Sequence, residues 1–289
     1  MKLRNLTTTL ALALVAPVFA APPNVAASAP APAAADEAAE LAKKLNNPIS
    51  SLISVPFQSN WDFGLGDGNG QRYTLNIQPV VPISISKDWN LIVRTILPVI
   101  DQNKVFGPRS GTQSGLGNTT QSFFLSPKAL WNGLTWGLGP VGYYPTNTDN
   151  LLGPDKWGVG PTFVALVQPG GWTIGILVNQ IWSVGGDSSE QNISSLFLQP
   201  FIVYTTKTHT SFALNTESTY DWENGQWTVP LNLSVAQILK IGKLPVQAQV
   251  GVRYYAESPT GGPDWGLRAT FTLLFPTGRH EAPAAASPK

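Results

Sequence analysis

Residues 265–275 read WGLRATFTLLF. Trp265, Leu267, Phe271, Leu273 and Phe275 alternate with Gly266, Arg268, Thr270, Thr272 and Leu274, and Ala269 falls in the apolar phase. A period of two is the signature of a β-strand with two unlike faces. In a soluble sandwich the apolar face is core. In a membrane barrel it meets lipid, and Arg268 points inward. The strand alone leaves both readings open, and the rest of the chain decides between them.

The same alternation recurs along the chain. Strands are expected at about 51–63, 72–83, 89–99, 117–125, 134–144, 156–168, 172–183, 195–206, 210–219, 227–240, 245–256 and 265–275. Their connections alternate in length. GLGDGNGQ, DQNKVFGPRSGTQSGL, PTNTDNLLGPD, VGGDSSEQNIS, YDWENGQ and ESPTGGPD are long and polar. SISKD, PGG, KTH and IGKL are short, and SPKALWNG is the exception among them. Long loops on one side and short turns on the other are the habit of outer-membrane barrels. An even strand number places both ends on the short-turn, periplasmic side. The expected fold is therefore all-β: a transmembrane, antiparallel, up-and-down β-barrel of about twelve strands over 51–275.

The aromatic residues support the membrane reading. Trp61, Tyr73, Tyr144, Trp157, Trp182, Tyr220, Trp227, Tyr254 and Trp265 fall at strand ends beside long loops. Trp89, Trp136, Trp172, Tyr204 and Phe275 fall near short turns. Two belts around an apolar middle match the two headgroup levels of a bilayer. The face opposite the apolar one collects Asp62, Arg72, Arg94, Glu217, Arg253 and Arg268, with Asn76, Gln78, Asn215, Asn232, Gln247 and Gln249. No charged residue of these strands falls on the apolar face. Proline inside IQPVVP, LGPVGYYP, VGPTF, LQPFIVY and TVPLNLS opposes the barrel, because proline lacks a ladder donor. Bulges or strand ends are expected there.

Lys2 and Arg4, the apolar run through Leu10, Leu12, Leu14 and Val15, and small residues Val18 and Ala20 form a secretory signal peptide over 1–20, cleaved near Ala20. Residues 21–35 are an Ala/Pro-rich linker, and the tail 276–289 is similar and expected to be disordered. Between them, DEAAELAKKLNNP over 36–48 predicts a short helix with Asp36 as N-cap, Pro48 as stop, and Leu41 and Leu45 on one face. It is either a solvated spacer, or a plug or periplasmic contact. No cysteine is present, so disulfide and thiol chemistry are absent. Charged residues make up 12% of the chain, about half the usual share of a soluble domain. A net charge of +1 gives no bias toward nucleic acid.

The search for catalytic chemistry returns little. His209 lies in a short turn and His280 in the tail, so neither sits beside a serine in the wall, and neither metal nor cofactor is expected. Asp67 and Asn69 in GDGNGQ resemble part of a calcium loop without its closing glutamate, and a tight turn explains them better. The lumen remains. Arg72, Arg94, Arg253 and Arg268 face Asp62 and Glu217, so a positive excess is expected. These residues serve either as cross-links of the barrel interior or as a selectivity ring. The expected function is an outer-membrane channel or uptake barrel for an anionic or aromatic small molecule, not an enzyme. The alternative is a structural barrel with a closed lumen.

Several blocks carry a resemblance: LNNPISSLISVPFQSNWDFG, YTLNIQPVVPIS, DWNLIVRTILPVI, QSFFLSPK, KWGVGPTFVAL, NTESTYDWENGQWTVPLN and YYAESPTGGPDWGLRATFTLLFP. They resemble a bacterial family labelled only "transporter", some of whose members are mislabelled as neuromedin U precursors. The chain is also similar to outer-membrane barrels associated with phenol-degradation gene clusters. The resemblance implies a Gram-negative outer-membrane barrel and carries over no binding residues. Relatives have an acidic residue in a Gly-Asp pair before QSFFLSPK, where this chain has Gly117-Asn118. Barrels of this kind end on an aromatic that the insertion machinery reads, and Phe275 takes that place.

Overall fold

The structure, a computed structural model, describes residues 32–275 except Gly68, Pro108 and Lys243, with side chains from residue 39 onward. The expected signal peptide, most of the linker and the tail lie outside the described residues. A helix α1 spans Pro32–Leu45. It begins inside the stretch expected to be linker and ends before Pro48. Asp36, the expected cap, therefore lies within the helix.

Twelve strands follow. They are β1 (Ile53–Leu65), β2 (Gly70–Ile77 and Val80–Ser84), β3 (Trp89–Asn103), β4 (Thr112–Leu116 and Thr119–Pro127), β5 (Leu134–Tyr144) and β6 (Lys156–Val167). Then come β7 (Trp172–Gly186), β8 (Ser194–Thr205), β9 (Thr210–Thr216 and Ser218–Asp221), β10 (Gln226–Ile241), β11 (Leu244–Glu257) and β12 (Trp265–Phe275). Each pairs antiparallel with its neighbour in sequence. The sheet closes because β12 also pairs with β1, from Ile53↔Phe275 to Phe63↔Trp265. Closure removes the exposed edge that an open sheet would present. Several strands run further than the alternation suggested, because ladder pairing continues into the long-loop side. The extension of β3 carries Asp101 onto the exposed face at its outer end, where Ser114 donates to its carboxylate. The apolar face is therefore uncharged along the middle of the wall, with Asp101 at its margin.

In β12, Trp265 is 49% exposed and Phe271 39%, whereas Arg268 is 6% and Leu274 0%. The apolar face of the opening stretch is thus the outside of the barrel, and Arg268 is inside. Val250 in β11 is also outward and exposed, with Gln249 turned inward to Ser234. Val250→Arg is expected to cost about 2–4 kcal/mol at mid-membrane. Gln249→Arg is expected to cost far less. Equal losses in denaturant titrations of the two variants would refute this facing.

The aromatic residues sit at the two rims. On the long-loop side Trp61 packs on Tyr73 with ring centroids 5.3 Å apart, and Tyr144 meets Trp157 edge-on. Tyr220 and Trp227 pair there too, while Trp182, Tyr254 and Trp265 are exposed. On the short-turn side Trp89 meets Trp136 edge-on, Trp172 packs on Tyr204 at 4.7 Å, and Phe275 is exposed.

The in-strand prolines find two solutions. Pro79 falls in the break between the halves of β2, and Pro230 follows a register shift after Val229. These are the expected irregularities. Pro140 and Pro161 differ: they face each other across β5 and β6. The β4–β5 ladder skips from Ser122↔Val141 to Leu125↔Leu138, and the β6–β7 ladder from Val159↔Trp182 to Thr162↔Asn179. Each missing donor therefore faces a gap in its outer ladder, with no rung broken between the two prolines. Gly139 and Gly160 precede them. A Cβ at either would collide with the carbonyl oxygen of Phe123 or Gln180, so only glycine lets the flanking strands close this tightly.

Candidate functional site

The interior is built in layers, each set by which inward position of each strand reaches that height. At the short-turn end the lumen is apolar. Ile49 packs among inward Val80, Ile92, Phe124, Val164, Leu166 and Leu177. Leu41, Ala42 and Leu52 pack against Ile238 of β10 and Leu274 of β12. The chain from α1 to β1 therefore plugs this end. Asn46 donates to the Thr205 hydroxyl at 3.0 Å, and Gln168 donates to the Lys43 carbonyl at 2.8 Å. Burial of a Leu or Ile side chain is worth about 1.5–3 kcal/mol, so these contacts hold the plug by several such increments. The apolar face of α1 has a partner, and that partner is the lumen wall.

The middle layer is charged. Arg268 donates to both oxygens of Glu217, at 2.8 and 2.7 Å, and through Nε to Asn60 at 2.7 Å. Arg253 donates to Asp62 and to Asn232, each at 3.2 Å. The Tyr255 hydroxyl donates to the other Asp62 oxygen at 3.0 Å, and the Arg253 guanidinium lies 5.3 Å from the Tyr255 ring centroid. Arg72 donates to Gln102 at 2.8 Å, and Arg94 to Gln78 at 3.1 Å. The register explains the meetings. Asp62, Gly266 and Arg253 lie in one row across β1, β12 and β11. Gly266 has no side chain, and a Cβ there would press on Asp62. The carboxylate and guanidinium thus meet over a vacant position, two strands apart.

The six charged residues expected in the lumen all enter this hydrogen-bonded interior, but not equally. Arg253 and Arg268 each hold a carboxylate. Arg72 and Arg94 each bond a neutral glutamine and have no carboxylate among the described residues in ion-pair contact. Of the amides expected there, Gln78, Asn215, Asn232 and Gln249 are in bonds, while Gln247 is buried and Asn76 partly buried. Tyr255, Asn60, Gln102 and Lys156 were not expected. Tyr255 and Asn60 follow from the same alternation, one position from residues read outward. Gln102 and Lys156 lie in strand ends read as loop or rim.

Above this layer the long loops border two open pockets of about 620 and 630 Å³. Arg72 and Phe106 line both. The β3–β4 loop turns inward here, with Val105 buried. Asp67, Glu190 and Asp221 also line this vestibule, so the positive excess belongs to the layer below it.

Asn118 sits in the break of β4. It donates to the Tyr143 hydroxyl and the Pro154 carbonyl and accepts from the Asn147 amide. A carboxylate has no donor for Pro154, so the asparagine suits this surrounding. His209 lies in the β8–β9 turn, and His280 lies outside the described residues. Among the described residues no three His, Cys, Asp or Glu side chains gather as a metal site. In the GDGNGQ segment Gly66, Asp67 and Asn69 lie in a turn, with positive φ at Gly66 and Asn69.

No curated protein matches the chain by sequence. Among solved structures, an outer membrane channel from Pseudomonas putida F1 shares the fold at 17% identity, covering 78% of this chain and 94% of that one, with a TM-score of 0.60. Outer membrane phospholipase A from Escherichia coli is more distant: 13% identity, 82% and 97% coverage, TM-score 0.44. The family described as "Putative MetA-pathway of phenol degradation" matches residues 67–240, more than half of the chain, and the chain belongs to that family.

Proposed function

We propose that this barrel sits in the bacterial outer membrane as a passive channel for small anionic solutes, aromatic carboxylates among them. The carrying observation is the unequal pairing of the lumen charges. Two arginines are neutralised by carboxylates, and Arg72 and Arg94 keep their charge against neutral amides. A narrow passage with low-dielectric walls amplifies such an imbalance, because field lines cannot spread into bulk water. Twelve strands leave a lumen between the filled eight-strand barrels and open porins of about 16 strands. The match to a protein described as an outer membrane channel supports the reading. Signal-peptide cleavage near Ala20 and insertion by machinery that reads the aromatic end at Phe275 belong to the same proposal.

Reversal potentials across a salt gradient test it. Refolded protein in planar bilayers is expected to favour chloride over potassium, and the preference is expected to fall when Arg72 and Arg94 are both replaced by glutamine. Cation preference, or no change in the double variant, would reduce these arginines to struts. The second reading, a structural barrel with a closed lumen, draws on the N-terminal plug. It predicts no conductance in any state of that segment.

A further inference from the structure

Directly above the plug the lumen holds a cavity of about 200 Å³. Asn46 and Pro48 form its floor, and Arg94, Phe201, Asn215 and Gln247 are among its walls. An apolar cavity of about 150 Å³ is enough to bind benzene, so this space suits a small organic molecule better than a lone ion. Arg94 has five N–H donors, and the Gln78 bond engages one nitrogen. Arg94 is half-buried, and it lines the cavity. Glu217, the carboxylate within electrostatic reach, is held in two bonds by Arg268. Phe201 supplies an apolar wall and packs against the same cluster as Ile49 of the plug.

We propose that this chamber, between Arg94 and the N-terminal plug, is a binding site for a monocarboxylate with a compact apolar body. The guanidinium takes the carboxylate in two-pronged fashion, and Phe201 takes the body. A wholly apolar molecule would strip water from Arg94 without replacing it. A small inorganic ion would leave the apolar wall and most of the volume unused. The site rests on the channel reading, since a solute reaches it only through the lumen. It goes further in placing a resting point for the solute at the plug, so that occupancy and plug position share the same residues.

Benzoate is the probe, and benzyl alcohol its neutral counterpart. Calorimetric titration of the refolded mature chain is expected to show saturable one-to-one benzoate binding. Benzyl alcohol is expected to bind at least about tenfold more weakly, and Arg94→Gln to lose benzoate affinity by a similar factor. Arg94→Lys should recover part of it. Should Arg94→Gln fail to fold, Ala213→Leu fills the same cavity with Arg94 intact, and it too is expected to abolish binding. Equal affinity for the two probes, or undiminished binding in Ala213→Leu, overturns the site. Absence of benzoate binding in a preparation that conducts ions overturns the site and leaves the channel standing. Benzoate binding in a preparation that never conducts overturns the channel and leaves the site.

Discussion

Replacing Glu217 with alanine is expected to destabilise the barrel by about 3–5 kcal/mol. Arg268 is 6% exposed and gives Glu217 two bonds. Its remaining bond, to Asn60, reaches a neutral oxygen. Without Glu217 the guanidinium stays inside the wall uncompensated, and water reaches it poorly. A surface ion pair of the same geometry would cost at most about 1 kcal/mol. The double variant Glu217→Ala, Arg268→Leu removes both charges and is expected to recover most of the loss, because a buried pair contributes little beyond its own desolvation. The ten tryptophans give a fluorescence signal for urea titration of the three proteins. A single-variant loss below about 1 kcal/mol, or a double variant no better than the single, would show that the pair is already well hydrated.

Much of the wall was legible in the sequence because a barrel strand states its facing twice: each residue and its second neighbour share a side. Arg268 and Phe271 could be sent to opposite faces on that ground alone. Sorting by loop length then pointed to a closed barrel and away from a sandwich. What alternation does not carry is contact between strands far apart in sequence. Arg253 meets Asp62 only because Gly266 leaves room between them, and that depends on the register of three strands. The proline pair Pro140 and Pro161 was illegible for the same reason: its solution is a gap in two neighbouring ladders.

The plug was half legible. Leu41 and Leu45 marked an apolar face on α1 but not its partner. The missing half was present in β12. Leu274 is a large apolar residue on the inward face, at odds with Gly266, Arg268, Thr270 and Thr272 on the same side. Ile92, Phe124, Val164 and Leu177 repeat the anomaly in other strands near the short turns. Inward apolar residues confined to one end of a polar lumen mean that something apolar fills that end. In this chain it is Ile49 and the segment around it.

Loosening that segment is expected to produce the second large effect, on conductance. Ile49→Asp places a carboxylate among the apolar side chains of the lumen wall, where it has no partner, and charge burial of that kind is opposed by several kcal/mol. The plug should leave the lumen while the hydrogen-bonded wall stays closed. The converse is a tether. Asn46 and Thr205 touch across the plug and the wall, and the chain has no cysteine of its own. Asn46→Cys with Thr205→Cys, joined by a short cleavable thiol crosslinker, fixes the plug in place. Single-channel recording of these two proteins in planar bilayers is the measurement that bears most directly on the whole account. Conductance is expected to be severalfold higher in Ile49→Asp than in the crosslinked protein, and to rise in the latter when the crosslinker is cleaved. Equal conductance in all three states, or none in any, would contradict a channel closed at one end by its own N-terminal segment.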